Sequence, residues 1–161
     1  MLLVLMGVSG SGKTTVGKIL AKELGWVLYD ADDFHPVANV EKMRAGVALT
    51  DADRWPWLDR LNALLREKQD GGEDAILACS ALRQAYRDRL AQGCRDLRWV
   101  YLRGTFELIR SRLAARKGHY MNPALLQSQF ATLEEPVDAT VIDITDAPEV
   151  LAARIREMLQ R

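Results

Sequence analysis

Residues 7–14 have the types and the spacing of a phosphate-binding loop. They read Gly-Val-Ser-Gly-Ser-Gly-Lys-Thr and match the pattern G-x-x-x-x-G-K-[ST] without a mismatch. Glycine permits backbone angles that residues with a Cβ avoid, so the N–H groups of the loop can turn inward around anionic oxygens. Lys13 can then reach the β- and γ-phosphates of a nucleotide, and the Thr14 hydroxyl can ligate Mg²⁺.

The segments on either side of the loop support this interpretation. Residues 1–6 form a short apolar run, as expected of a buried parallel strand, and the residues after the loop have helical periodicity up to Gly25. Strand, glycine-rich loop and helix is the arrangement that a P-loop requires. We therefore expect nucleotide contacts from Gly7, Ser9, Gly10, Ser11, Gly12, Lys13, Thr14 and Thr15.

Acidic residues follow the second apolar segment, residues 26–29, which predicts a second buried strand. Ligands of open α/β sheets bind outside the carboxyl ends of the strands, so Asp30 and Asp32 should face the phosphates. We expect Asp30 to hold Mg²⁺ directly or through water, and Asp32 to orient or deprotonate an attacking hydroxyl. For Asp33, a helix cap or an exposed position is the favoured interpretation.

Two arginines near the middle of the chain supply the positive charge that phosphoryl transfer needs. Arg112 and Arg116 are four residues apart and should share one helix face. A solvated basic face is the simpler alternative. The favoured interpretation is a lid, about residues 117–129, which brings guanidinium groups onto the phosphates, with Pro123 beginning a further helix.

The remaining segments complete one α/β domain that spans residues 1–161. We predict five apolar strands that alternate with helices, joined by right-handed crossovers. A helix over residues 57–69 follows a substrate-binding lobe at about residues 33–60, and Asp146 is predicted to cap the last helix. Ser80 and Arg83 follow the third strand and should also point toward the ligand edge.

Composition and charge exclude several classes of function. The chain has 161 residues and a formal net charge of +0, so nothing indicates a nucleic-acid partner. No apolar run approaches the ~20 residues that cross a bilayer, and the N-terminal run is too short for a signal peptide. Cys79 and Cys94 are too few for a disulfide scaffold, so we expect a cytoplasmic protein.

Among P-loop proteins, the pattern of charged residues favours a small kinase. The chain has no N-K-x-D guanine signature and no apolar run that ends in Asp followed by Glu. Its length also argues against most motor or AAA-type modules. Acidic residues after strand two and an arginine pair after strand four fit the template for phosphoryl transfer, with Lys13, Arg112 and Arg116 stabilising the developing charge.

Over nearly its whole length the sequence resembles the P-loop gluconokinase family, which is related to shikimate and adenylate kinases. The stretches Asp-Ala-Asp-Asp-Phe-His-Pro and Cys-Ser-Ala-Leu-Arg are the most specific part of the resemblance. Tyr120, where phenylalanine is common, and Val47, where proline is common, are mild departures. The resemblance rests on residues 7–15, 30–36, 51–58, 79–83, 119–121, 128–130 and 133–136, together with Asn39, Lys42, Met43, Gly46, Tyr86, Arg87 and Asp88.

The resemblance implies ATP- and Mg²⁺-dependent phosphorylation of D-gluconate on its 6-hydroxyl. It also implies a three-layer α/β/α fold with a parallel sheet in the order 2-3-1-4-5, a helical lid and a homodimer. By similarity to the relatives, Asp30 lies near Mg²⁺, Asp32 touches the substrate, Arg112 stacks on adenine and Arg116 reaches phosphate. The gluconate carboxylate needs a cation, and His35, Lys42, Arg54 and Arg83 are the alternatives.

Two other functions remain open at this point. One is a different small-metabolite kinase, such as a shikimate-like or nucleoside kinase. The other is a non-catalytic module that binds nucleotide as a sensor, which would show no ADP release driven by an acceptor.

The P-loop prediction can be tested at Lys13. We expect Lys13→Ala to lose turnover far more than stability, because the ammonium group acts on phosphate charge and not on the core. Steady-state kinetics and thermal unfolding measure the two effects. An unchanged kcat would remove the P-loop assignment.

Overall fold

The computed structural model describes residues 1–116 and 123–161. Five strands are present in this part of the chain: β1 Leu2–Met6, β2 Val27–Asp30, β3 Ala75–Ala78, β4 Leu97–Arg103 and β5 Thr140–Asp143. The α-helices are α1 Lys13–Leu24, α2 Val37–Arg44, α3 Asp51–Asp70, α4 Gln84–Ala91, α5 Phe106–Ala115, α6 Pro123–Thr132 and α7 Pro148–Leu159. A 3-10 helix covers Ala31–Phe34.

The five strands form one parallel sheet in the order β2-β3-β1-β4-β5, which confirms the predicted fold. β1 lies in the centre, and Leu5 is in register with Ala78 of β3 and Val100 of β4. Because the strands are parallel, their carboxyl ends lie at one edge of the sheet. β2, β3 and β1 are neighbours in the sheet, so the loops that follow them lie close together at this edge.

Side chains of β1 alternate between two cores, as the two-residue period of a strand requires. Leu3 and Leu5 pack in a core that also holds residues of α1, α5 and α7. Leu2, Val4 and Met6 face the opposite core, with residues of α3 and α4. The sheet is thus covered on both faces, which gives the three-layer architecture.

The prediction of a buried second strand is wrong in one respect. β2 exists, but it is an edge strand and none of its four residues is fully buried. An apolar run in the sequence does not distinguish a central strand from an edge strand, because strand order is set by the crossovers.

The helix predicted over residues 57–69 begins earlier, at Asp51. Thr50 Oγ1 accepts a hydrogen bond from the Asp53 N–H at 3.2 Å, and Asp53 Oδ2 accepts one from the Thr50 N–H at 2.9 Å. This capping box starts the helix six residues before Trp57. Pro56 lies inside this helix, where it removes only one backbone hydrogen bond near the N-terminus.

The prediction that Asp146 caps the last helix is also wrong. The N-cap of α7 is Ala147, with Pro148 in the first turn and no side-chain cap. Asp146 instead accepts a hydrogen bond from Arg154 at 2.6 Å. Asp146, which precedes the helix, therefore pairs with a side chain of the helix instead of capping its backbone.

In the described part of the chain, no helix is both long enough and apolar enough to pass through a membrane.

The capping box of α3 generates a stability prediction. Thr50→Ala removes the hydroxyl that accepts from Asp53, so we expect the free energy of unfolding to fall by about 1 kcal/mol. Urea unfolding followed by circular dichroism measures the change.

Thr105→Ala is the matched control, because Thr105 caps α5 through an equivalent hydrogen bond to the Leu108 N–H at 3.2 Å. Both variants should lose similar stability, while only Thr50→Ala should disturb the segment that holds Asp53. Unchanged stability in Thr50→Ala would contradict the assigned cap.

Candidate active site

A cavity of about 340 Å³ lies at the carboxyl edge of the sheet. It collects residues from the loops after β1, β2 and β3 and from the end of α5. The cavity is lined by Ser9, Gly10, Gly12, Lys13, Thr14, Thr15, Asp30, Asp32, Ala78, Cys79, Ser80, Leu113 and Arg116. Of the predicted nucleotide contacts, Gly7 and Ser11 are buried behind this lining.

The loop after β1 has the shape of a phosphate cradle. Gly12 begins α1 with a left-handed conformation, φ 99°, which favours glycine. The first-turn N–H groups of a helix have no partner within the helix and are available to an anion. Gly10 also requires glycine, because a Cβ there would lie 2.8 Å from the Leu113 side chain.

Lys13 lies folded against this loop. Its Nζ donates hydrogen bonds to the Gly7 and Val8 carbonyls, at 2.9 and 3.0 Å. The surrounding protein atoms lower the pKa of its ammonium group to about 8, although nearby acidic residues oppose this shift. A bound polyphosphate would supply the negative charge that favours the charged form.

Asp30, the last residue of β2, and Asp32, in the short 3-10 helix that follows, line the same cavity. Asp30 Oδ1 accepts a hydrogen bond from the Asp32 N–H at 2.9 Å and so caps this helix. Asp33 is exposed and does not line the cavity. Asp30 therefore both caps the 3-10 helix and lines the cavity.

The carboxyl group of Asp32 has a raised pKa. The cavity walls limit its solvation, and the Asp30 carboxylate adds like-charge repulsion, while His35 and Lys13 act in the opposite direction. The side chain is nevertheless 86% exposed to the open cavity. It is therefore accessible to a ligand.

The ligand set suits Mg²⁺ in the way P-loop sites do. No group of three or more His, Cys, Asp or Glu residues that could hold a metal ion occurs within residues 1–116 and 123–161. Mg²⁺ usually takes one or two protein oxygens and completes its shell with phosphate and water. The Thr14 hydroxyl and the Asp30 carboxylate, which line the cavity together, fit that requirement.

His35 lies beside Asp32, but most of its surface is buried. Its ring stacks on Trp57 with centroids 4.2 Å apart, and its side chain is 4% exposed. Burial lowers the pKa of the His35 imidazole, and Asp32 opposes this shift. The Nε2 atom lies 3.9 Å from Asp32 Oδ1.

Arg54 and Arg83 converge on Asp51. Arg54 Nη1 lies 3.3 Å from Asp51 Oδ1, and Arg83 Nη1 lies 3.6 Å from Asp51 Oδ2. Tyr86 donates a hydrogen bond to the same carboxylate at 2.5 Å, and this bond is the main reason why the pKa of Asp51 is lowered. Two cations therefore share one carboxylate, which leaves one positive charge in excess.

Lys42 is held differently from the two arginines. Its Nζ donates to both carboxylate oxygens of Asp53, at 2.8 and 3.0 Å. The pairing lowers the pKa of Asp53 to about 2. The charge of Lys42 is therefore matched by one partner. Lys42, Arg54 and Arg83 all lie outside the lining of the cavity.

The arginine pair is not arranged on one helix face as predicted. α5 ends at Ala115, and Arg116 follows it with extended backbone angles. Arg116 lines the cavity, whereas Arg112 donates a hydrogen bond to the Ile144 carbonyl at 2.5 Å. The prediction of a shared helix face is wrong because α5 ends one residue before Arg116, so the four-residue helical spacing does not apply to this pair.

The predicted lid falls partly on residues outside the described part of the chain. Residues 117–122, including His119, lie there. The rest of the predicted lid, residues 123–129, belongs to α6, which begins at Pro123 as expected.

Gln129 of α6 is a contact of the P-loop that sequence reasoning did not single out. Its Oε1 accepts a hydrogen bond from the Ser9 N–H at 2.8 Å, and its Nε2 donates to Ser9 Oγ at 3.0 Å. The two residues are 120 positions apart, so no local pattern connects them. Only the tertiary structure shows that α6 holds the loop.

The Gln129 contact generates a prediction about nucleotide binding. Gln129→Ala removes two hydrogen bonds from the P-loop, so we expect the KM for ATP to rise roughly tenfold, as expected for the loss of one to two such bonds. The KM of the second substrate should change much less, because the hydrogen bonds of the Gln129 side chain to the described residues go to Ser9 of the nucleotide loop.

Gln69→Ala is the matched control. Gln69 also makes two hydrogen bonds to backbone groups, Gly93 O and Arg95 N, but it lies away from the cavity. If both variants have the same KM for ATP, Gln129 does not support the P-loop.

Comparisons with known proteins agree with the geometry. A family model described as an AAA domain matches residues 2–136. The length of the chain was therefore a wrong argument against that class, because the match shows that such a domain can be this short.

Curated relatives and solved structures are more specific. The thermoresistant gluconokinase of Escherichia coli is 43% identical over 98% of this chain and 93% of its own length. A gluconokinase structure from Sinorhizobium meliloti has a TM-score of 0.82 and 37% identity, and covers 98% of this chain and 94% of its own. An unliganded sugar kinase from Janibacter sp. has a TM-score of 0.90 and 43% identity, with 99% and 94% coverage.

These identities extend over nearly the full length of both proteins, and they include the segments that build the cavity. The chain belongs to the gluconokinase family of P-loop kinases.

Proposed function

We propose that this protein transfers the γ-phosphoryl group of ATP to the 6-hydroxyl of D-gluconate, giving 6-phospho-D-gluconate and ADP. The observation that carries the proposal is that Lys13, Asp32 and Arg116 line one cavity. The relatives named gluconokinase support the choice of substrate. A shikimate-like kinase, a nucleoside kinase or a nucleotide sensor is not favoured.

The nucleotide end of the cavity stabilises charge. The loop amides from Gly10 to Thr15, Lys13 and Arg116 surround the space where the phosphates would lie. We also include Arg112 in the proposed nucleotide site; in this structure its guanidinium group donates a hydrogen bond to the Ile144 carbonyl. When bound between Thr14 and Asp30, Mg²⁺ would neutralise phosphate charge during transfer.

Asp32 acts on the acceptor hydroxyl. Its carboxylate lines the same cavity as the P-loop and is exposed, so it can accept the hydrogen bond of a hydroxyl that approaches the γ-phosphate. Its raised pKa makes it a better proton acceptor than an ordinary aspartate. It orients the hydroxyl, and takes its proton as the new P–O bond forms.

Arg54 and Arg83 are the cations that meet the gluconate carboxylate. Lys42 already has a complete carboxylate partner, and burial lowers the pKa of His35 and favours its neutral form. Arg54 and Arg83 share Asp51 and keep one positive charge in excess, with 28% and 48% of their side chains exposed. His35 and Lys42 then shape the lobe at about residues 33–60, which we propose as the substrate-binding lobe.

ADP release with Mg·ATP tests the proposed function. The panel of acceptors is gluconate, other sugar acids, shikimate and nucleosides. We expect release to be driven by gluconate. If only another acceptor drove release, that acceptor would replace gluconate as the proposed substrate. If the protein bound nucleotide but no acceptor drove release, a sensor would be favoured.

Asp32→Asn provides the internal control for the reaction. The variant keeps the size of the side chain but accepts no proton, so ATP should still bind while gluconate-driven release falls steeply. A near-normal rate would show that Asp32 is neither base nor orienter.

The carboxylate contact generates a separate prediction. Arg54→Gln and Arg83→Gln should each raise the KM for gluconate about tenfold or more, because each removes a charge-assisted hydrogen bond. The KM for ATP should change little. Initial rates at varied gluconate and ATP measure both constants.

Lys42→Gln is the comparison for this pair. Its charge is matched by Asp53, so the KM for gluconate should rise less than in either arginine variant. A larger effect at Lys42 would move the carboxylate contact to that residue.

The proposal also includes a homodimer in the cytoplasm. Cys79 and Cys94 are both free, as expected in a reducing compartment. Burial raises the pKa of Cys79 to about 12, so this thiol is inert. Light scattering on the purified protein measures the oligomeric state.

A further inference from the structure

Asn39 is a buried polar residue to which neither the sequence pattern nor the proposed reaction gives a role. It lies in α2 and is 3% exposed. Its Nδ2 donates a hydrogen bond to the Asp53 carbonyl at 2.9 Å and lies 3.3 Å from His35 Nδ1. The side chain thus joins the start of α3 to the imidazole ring.

The two contacts determine which ring nitrogen of His35 carries the proton. A backbone carbonyl only accepts, so the atom that faces Asp53 must be the amide nitrogen of Asn39. Its second N–H then points at His35 Nδ1, which must accept. In a neutral imidazole the other nitrogen, Nε2, carries the hydrogen.

Packing fixes the orientation of the His35 ring, so that its Nε2 atom faces Asp32. Trp57 stacks on it at an interplanar angle of 15°, and Trp57 is itself fixed by a hydrogen bond from Nε1 to the Ala31 carbonyl at 2.7 Å. The Nε2 edge faces Asp32 Oδ1 at 3.9 Å. A small approach of the two groups would complete a hydrogen bond to the carboxylate.

We propose that Asn39 is a positioning residue that holds His35 in the Nε2–H tautomer, so that the ring presents a donor to the Asp32 carboxylate. This rests on the role of Asp32 in the proposed function. When the two groups approach each other, the donor binds one carboxylate oxygen and leaves the other for the acceptor hydroxyl. The opposite tautomer would turn a lone pair toward Asp32 and repel it.

The tautomer can be measured directly. The chain has two histidines, His35 and His119, so the spectrum of His35→Gln identifies the His35 signals. In ¹⁵N-labelled protein without substrate at neutral pH, we expect a protonated Nε2 and an unprotonated Nδ1 for His35. A protonated Nδ1 would overturn the proposal.

Asn39→Asp tests the cause and the consequence together. A carboxylate at this position accepts instead of donating, so the proton should move to Nδ1. We expect kcat to fall about tenfold, the rate equivalent of one hydrogen bond to a charged group. The KM for ATP should remain within about twofold, since Asn39 does not contact the nucleotide cavity.

Asn62→Asp is the matched control, because the Asn62 amide also donates to two carbonyls, those of Leu90 and Gln92. It should lose stability without a change in tautomer. Equal kcat in the two variants would overturn the proposal.

A second pair of variants keeps the test decisive if Asn39→Asp does not fold. His35→Gln places an amide near the former Nε2, whereas His35→Asn places it near the former Nδ1. We expect the glutamine variant to retain more kcat, and the reverse order would contradict a donor at Nε2. If wild-type protein released no ADP with gluconate, the proposed function would fail, but the ring spectrum would still decide the tautomer.

Discussion

The pairing of β1 between β3 and β4 is the constraint on which the rest of the structure depends. β1 is completely buried, and its hydrogen bonds to both neighbours place the ends of three strands at one edge. The P-loop hydrogen bond from the Gly7 N–H to the Ser80 carbonyl, at 3.3 Å, continues this pairing beyond the strands. The residues that we propose to bind phosphate and acceptor meet there because the sheet is parallel.

Charge is balanced differently in the two ion-pair groups near the start of α3, and this difference is the basis for our proposal of which cations bind the substrate. Lys42 and Asp53 neutralise each other and tie α2 to the capping box of α3. Asp51 cannot neutralise both Arg54 and Arg83, so positive charge is left for an anion. Cationic side chains therefore differ in their proposed roles according to how many carboxylates pair with them.

The turn after β3 shows how a strained backbone is held in place. Ala81 has a left-handed conformation, φ 45°, which is rare for a residue with a Cβ. Arg87, which is buried, donates to the Ala81 carbonyl at 2.7 Å and to the Glu134 carbonyl at 2.8 Å. These bonds fix the segment between Ser80 at the cavity and Arg83 at Asp51.

The sequence alone was sufficient for the P-loop, the five strands, the helix that starts at Pro123 and the placing of Asp30 and Asp32, because these follow from local periodicity and from the strand-end rule. It did not determine the early start of α3, the exposed edge of β2 or the separation of Arg112 from Arg116. Nor did it show that Gln129 holds Ser9, or that Asn39 joins His35 to Asp53. Those features depend on contacts between residues distant in the chain or on where a helix stops, and only the packed structure decides them.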